Sequence, residues 1–144
     1  MASDPSNINN SSQQPFATFL IEVADIVDLG QVAIGHRRMV PITGGTVSGP
    51  IGNGTVLPGT DWQWIHSDGT ISLTAHYAVQ LQTGETVEVE SNGIRHVDEA
   101  GKVYFRTGVR MTTTASRPDI NQKLFYGVGT RLPNEVQLDV FQLD

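Results

Sequence analysis

The sequence contains no cysteine, which removes disulfides, thiolate nucleophiles and cysteine-ligated zinc together. Basic residues are scarce: nine Lys plus Arg stand against fifteen Asp plus Glu, a formal charge of −6 over 144 residues. Nucleic-acid binding draws on clustered cations that release counterions, and the only tight basic pair, Arg37-Arg38, runs into an apolar strand. Nucleic acid and membrane surfaces are therefore set aside as partners. No apolar run approaches the ~18 residues of a membrane helix, and residues 1–14 lack the basic start and apolar stretch of a signal peptide, so a cytoplasmic protein is the expectation.

Familiar catalytic signatures are missing as well. There is no G-x-S-x-G nucleophile elbow. The glycine-rich stretch from Gly44 to Gly59 lacks the lysine-serine/threonine ending and the following helix of a phosphate loop. Its glycines suit the bulges and tight corners that let a small barrel curve. His36, His66, His76 and His96 show neither i, i+4 nor H-x-H spacing, so no local pattern builds a metal site. No metal and no cofactor are expected.

What is present reads as β-structure. The length corresponds to one domain. Residues 1–14, nine of them Asn, Ser or Gln, offer too little to bury and are expected to form a flexible polar tail ahead of a folded domain at 15–144. From there fifteen glycines and seven prolines cut the chain into short runs rich in Val, Ile, Thr, Phe and Tyr. In the clearest run, Thr70 to Gln82, Ile71, Leu73, Ala75, Tyr77, Val79 and Leu81 share one parity while Ser72, Thr74, His76, Gln80 and Gln82 share the other. A period of two sustained that long is a half-buried strand. Thr83-Gly84 predicts a hairpin into Glu85 to Glu90, and Ser91-Asn92-Gly93 predicts another turn. About eight such strands predict a closed or nearly closed antiparallel barrel.

Several ordered pieces resemble one family. Val40-Pro41-Ile42-x-Gly44-Gly45-x-x-x-Gly49-Pro50 is followed by Gly54-x-Val56-Leu57-Pro58-Gly59 and Asp61-Trp62. Asp68-Gly69, Tyr77, Gly93-x-Arg95, Tyr104-Phe105-Arg106-Thr107, Asn121, Leu124-Phe125 and Gly127-x-Gly129 then come in the expected order. The set resembles the bacterial and fungal family known as domain of unknown function 3237, from Phe16 to the C-terminus. Two departures stand out: Asp119-Ile120 precedes Asn121 where the family usually carries an aromatic residue and a leucine, and the Pro58 to Asp61 turn is one residue shorter. The resemblance implies an all-β, calycin-like barrel similar in outline to allene oxide cyclase. It implies no particular activity.

Candidate site residues follow from chemistry. Asp61 beside Trp62 is a carboxylate at an apolar wall, which raises a carboxyl pKa toward the range of a general base; its bland alternative is a turn aspartate with Trp62 in the core. Arg106 shares parity with Tyr104 and Gly108, and if that row faces inward it clamps an oxyanion or carboxylate. Otherwise it is a surface arginine. Arg95 has the same two readings, with His96 beside it the histidine best placed to enter a site. Tyr77 is either a proton donor or a core filler, and Asn121 either orients a carbonyl or caps a turn. The catalytic expectation is thus Asp61, Arg106 and Tyr77, with Trp62, Arg95, His96, Tyr104 and Asn121 binding the ligand.

Two functional classes fit. The first is a cofactor-independent isomerase, cyclase or lyase that moves protons on a small aromatic or acidic metabolite inside the barrel. The second is a non-catalytic binding protein using the same cavity. Both are compatible with a homo-oligomer.

Overall fold

A computed structural model of the chain describes residues 13–144. All but two residues of the expected tail therefore lie outside the described residues. Ten strands and one helical turn follow: β1 (Ala17–Val23), β2 (Val27–Val32), β3 (Gly35–Ser48), β4 (Gly54–Val56), β5 (Gly59–Ile65), β6 (Ile71–Leu81), β7 (Thr86–Val97), β8 (Val103–Thr112), α1 (Pro118–Asn121), β9 (Phe125–Arg131) and β10 (Glu135–Gln142). All pairings are antiparallel, in the order β1-β10-β9-β8-β7-β6. Next come β4 and β5, both of which pair with β6 on one side and β3 on the other. Pairing of β3 with β1 closes the ring. The expected eight-strand barrel is borne out, with β2 and β4 as additional strands.

The closure depends on one long strand changing face. Along β3, Arg38, Val40 and Ile42 share the inward parity, and further on it is Gly45 and Val47 that oppose the inward Ile21 and Phe19. The register shifts between Glu22 and Val23 of β1, leaving Thr43 as the extra residue of a bulge. An extra residue reverses the alternation and bends the strand, which lets β3 pair with β5 at one end and with β1 at the other. Thr43 Oγ1 donates to the Glu22 carbonyl at 3.3 Å beside the bulge.

The alternation expected of β6 is what the structure shows. Leu73, Ala75, Tyr77, Val79 and Leu81 are buried, whereas Thr74 and His76 are exposed. Leu73→Ala should therefore cost about 2–5 kcal/mol, toward the lower end because the side chain borders a cavity, and Thr74→Ala less than about 1. Urea unfolding of both variants is the check, and equal losses would contradict the inward row. Elsewhere the punctuation was misleading. Ser91-Asn92-Gly93 is not a turn but the middle of β7, with Ser91 facing inward and Asn92 accepting a hydrogen bond from Thr74 Oγ1 at 2.9 Å. The chain reverses instead at Asp98–Gly101, where the Asp98 carboxylate accepts from the amides of Ala100 and Lys102.

The barrel interior is divided in two. One half is packed solid by Phe19, Val79, Val87, Val89, Val109 and Phe125 and is plugged by Ile51 and by Ile120 of α1, all nearly inaccessible. The boundary of this half is an edge-to-face pair, Phe19 and Tyr77, with ring centroids 6.0 Å apart. Beyond it the interior opens.

Candidate functional site

The open half consists of two adjoining chambers that share Val23, Asp61, Leu73, Phe105 and Val136. The inner one adds Tyr77, Ala75, Ser91, Thr107 and Leu138; the outer one adds Arg38, Gln63, Arg95 and Arg131. Counted with the space at their openings, they hold about 420 Å³ and about 660 Å³. Less the space at the openings, the inner chamber is a void of about 40 Å³ and the outer one a void of about 200 Å³. A cavity needs roughly 10–15 Å³ to hold a water. The inner chamber thus takes a few atoms, and the body of any ligand belongs in the outer one.

Inward-facing glycines shape this space. A Cβ on Gly129 of β9 would lie 2.6 Å from the Phe105 ring, and one on Gly127 would lie 2.5 Å from Thr107 Oγ1. Without side chains there, Phe105 and Thr107 of β8 lie against β9 instead of filling the cavity.

Asp61 sits where the chambers meet. Strand β5 turns it inward opposite Val40 of β3 and Ala75 of β6. Its Oδ2 accepts a hydrogen bond from Gln63 Nε2 at 2.8 Å, and Gln63 Oε1 accepts from Arg38 Nε at 2.7 Å. This relay fixes the carboxylate and leaves Oδ1 buried without a partner. Burial pushes the carboxyl up to about 6, against the opposing pull of the Gln63 hydrogen bond and the charges of Arg38 and Arg131. Tyr77 is held neutral well above its ordinary range, by burial first and the nearby Asp61 charge second.

Proteins satisfy the large majority of their buried polar atoms. Among the described residues four such side-chain atoms have no partner: Asp61 Oδ1, Tyr77 Oη, Arg95 Nε and Thr107 Oγ1. All four belong to residues lining these chambers. Their convergence makes this cavity the candidate site.

Asp61, Tyr77 and Arg95 thus come together, as the sequence suggested. The other candidates do not reach the cavity. On β8 it is Phe105 and Thr107 that face inward; Tyr104 is 55% exposed, and Arg106 lies outside with its guanidinium 5.3 Å from the Tyr104 ring centroid and Nη1 donating to the Phe105 carbonyl at 2.9 Å. The conditional inward reading of Arg106 and Tyr104 is corrected by that parity. Trp62 is on the outer face, where Arg37 lies 5.1 Å from its ring and 4.1 Å from the ring of Trp64. His96 is also on the outer face, with Nδ1 3.0 Å from Thr70 Oγ1. Asn121 ties the loop after β8, accepting from the Thr113 amide at 2.8 Å and donating to the Thr114 carbonyl at 2.7 Å. Arg38, Gln63, Thr107 and Arg131 were missed. Arg38 shares its parity with Val40 and Ile42, and Gln63 shares its parity with Asp61, so alternation alone carried a signal for both.

Among the described residues no three His, Cys, Asp or Glu side chains are grouped so as to hold a metal ion. No helix among them is long and apolar enough to cross a membrane.

A closed barrel with one end packed and the other forming a polar-lined cavity is the class of protein this geometry defines. The chain belongs to the family described as Protein of unknown function (DUF3237), whose model matches residues 11–143. It is 33% identical over 156 residues to a UPF0311 protein of Clostridium acetobutylicum, covering 97% of this chain and 99% of that one. A crystal structure of a protein of unknown function from the same bacterium superposes with a TM-score of 0.84 at 33% identity, covering 91% of this chain and 98% of that chain. A β-barrel-like protein from Acinetobacter baumannii also gives 0.84, at 27% identity and 91% and 94% coverage. One relative is an enzyme: the hydroalkoxylation enzyme phnH of Penicillium herquei is 42% identical over 62 residues, 42% of each chain.

Proposed function

We propose that this protein is a cofactor-independent enzyme that transfers protons on a small organic molecule held in the barrel, with the outcome of an isomerase, cyclase or lyase. The observation that carries the proposal is the placement of Asp61. Its carboxylate is anchored through one oxygen by Gln63 and presents the other, unpartnered, to a small apolar chamber beside the neutral hydroxyl of Tyr77. A carboxyl group that titrates near 6 is populated in both forms around neutral pH, which suits an acid–base catalyst.

The enzymatic fungal relative supports the same chemistry. Hydroalkoxylation adds an O–H across a carbon–carbon double bond. For such a reaction here, protonated Asp61 would deliver its proton from Oδ1 to one alkene carbon while the substrate hydroxyl oxygen bonds to the other. The hydroxyl proton then returns to Asp61. One C–H and one C–O bond form, one O–H bond breaks, the double bond becomes single, and Asp61 ends as it began. Tyr77 donates a hydrogen bond to the carboxylate that Asp61 becomes when its proton leaves, and Arg95 orients the ligand from the outer chamber.

The test is solvent deuterium incorporation. Neutral alkenyl alcohols and enolisable ketones incubated with the protein in D₂O should acquire carbon-bound deuterium. Asp61→Asn should slow that labelling by about 10²–10⁴-fold, the usual worth of a positioned acid–base group, while binding by calorimetry stays within a few-fold. Binding without labelling in the parent chain, or undiminished labelling by Asp61→Asn, would refute the enzymatic reading; the first result would leave a carrier that uses the same cavity.

A further inference from the structure

Three of the nine basic residues in this acidic chain line one chamber. Arg38 comes from β3, Arg95 from β7 and Arg131 from β9. Among the described residues the only acid lining that chamber is Asp61, and its Oδ2 is engaged by Gln63. Among the described residues none of the three arginines forms an ion pair. The contrast with Arg117 is direct. That guanidinium is compensated by Glu85 at 3.1 Å and Asp119 at 2.9 Å. Like charges converging on a partly enclosed space raise one another's energy, and a buried cation is normally paired. Arg95 is further constrained, since its Nε is buried without any acceptor.

We infer that the ligand of this cavity is an organic oxyanion, a carboxylate or a phenolate, whose charged oxygen sits in the outer chamber against Arg38, Arg95 and Arg131 while its uncharged end enters the inner chamber beside Asp61 and Tyr77. The division of space supports this polarity. The outer chamber has the room and the charge, whereas the inner one is walled by Ile21, Ile42, Leu73, Ala75 and Leu138 and admits only a few atoms. Guanidinium groups suit both anions because they offer planar, paired donors to oxygen. Arg38 has a second task, since the hydrogen bond from its Nε holds Gln63 and through it Asp61. The anion site therefore adjoins the acid–base residue. The inference rests on the proposed use of this cavity, but it concerns what binds there and stands apart from whether turnover follows.

The experiment compares matched pairs on the full chain by calorimetry at low ionic strength, where charge contacts are least screened. Hydrocinnamate is set against hydrocinnamamide, and para-nitrophenolate against para-nitroanisole. At least one anion should bind about tenfold or more tightly than its neutral counterpart, as loss of a charge-assisted contact implies; which pair shows the larger ratio distinguishes a carboxylate from a phenolate. Arg95→Met and Arg131→Met keep the apolar stems and should reduce that preference to less than about threefold. Equal binding of anion and neutral partner in both pairs, or no measurable binding of either anion, overturns the inference. So does a preference that survives in both arginine variants. Should the variants fail to fold, the parent-chain comparison still decides. Labelling of neutral substrates without any anion preference would sink this inference alone, and anion preference without labelling would sink the enzymatic reading alone.

Discussion

At neutral pH Asp61→Asn is expected to be more stable than the parent chain by on the order of 2–3 kcal/mol, with the gap closing toward pH ~4. The sign follows from linkage. The folded carboxyl titrates at about 6 instead of 3.8. Between those values the folded chain holds a proton that the unfolded chain has released. The parent chain therefore loses stability as pH rises through this window and levels off above it. Asparagine has the shape of the protonated acid and can still accept the hydrogen bond from Gln63, but it has no charge to bury. Urea unfolding at a series of pH values checks this. An Asp61→Asn variant that is less stable than the parent at neutral pH would mean that Arg38 and Arg131 more than compensate the buried charge. A stability gain together with a loss of labelling would be the mark of a group placed for chemistry at the expense of folding.

Gly45→Ala is expected to destabilise the barrel by roughly 3–6 kcal/mol, a large share of the ~5–15 available to a domain. Gly45 has φ of +133°, where side chains are strained, and an added Cβ would collide with the carbonyl oxygen of Leu20 and crowd Ile21 Cα. Both obstacles are backbone of β1, paired with β3 at the seam that closes the ring. Neither can move without opening that seam. Gly69→Ala provides the control, since Gly69 has φ of +87° but nothing within 4 Å of the added atom; strain alone should cost it about 1 kcal/mol. Comparable urea midpoints for the two variants would show that the seam tolerates displacement.

The legible parts of this protein were those where one local rule sufficed. The run through β6 could be read because its own inward residues are all apolar, so alternation and burial coincide from Leu73 to Leu81. Asp61 and Tyr77 could be singled out because a carboxylate beside a tryptophan and a tyrosine in an apolar row are unusual for their surroundings. Arg106 was harder. The opposite parity of β8, Val103, Phe105, Val109 and Met111, is the apolar one, and Arg110 shares the row of Arg106; Thr107 in the inward row and Tyr104 in the outward row blurred that contrast. Ser91-Asn92-Gly93 has turn chemistry, yet β6 and β8 pair with it on both sides and hold it extended.

The sequence by itself determined the β class, the strand-length punctuation, the inward row of β6 and the family, because these depend on residue type and short-range period. Which arginines enter the barrel was decided only by the tertiary structure. Arg38, Arg95 and Arg131 lie on strands far apart in the chain, and their common chamber exists only once β3 meets β1 and the ring closes. The bulge at Thr43 reverses the face of half a strand, so even correct alternation on either side of it cannot be joined by counting. Likewise the pKa of Asp61 is not a property of its neighbours in sequence. It arises from being enclosed by β3, β6 and the far wall of the barrel, where water that would solvate a carboxylate is displaced by apolar side chains.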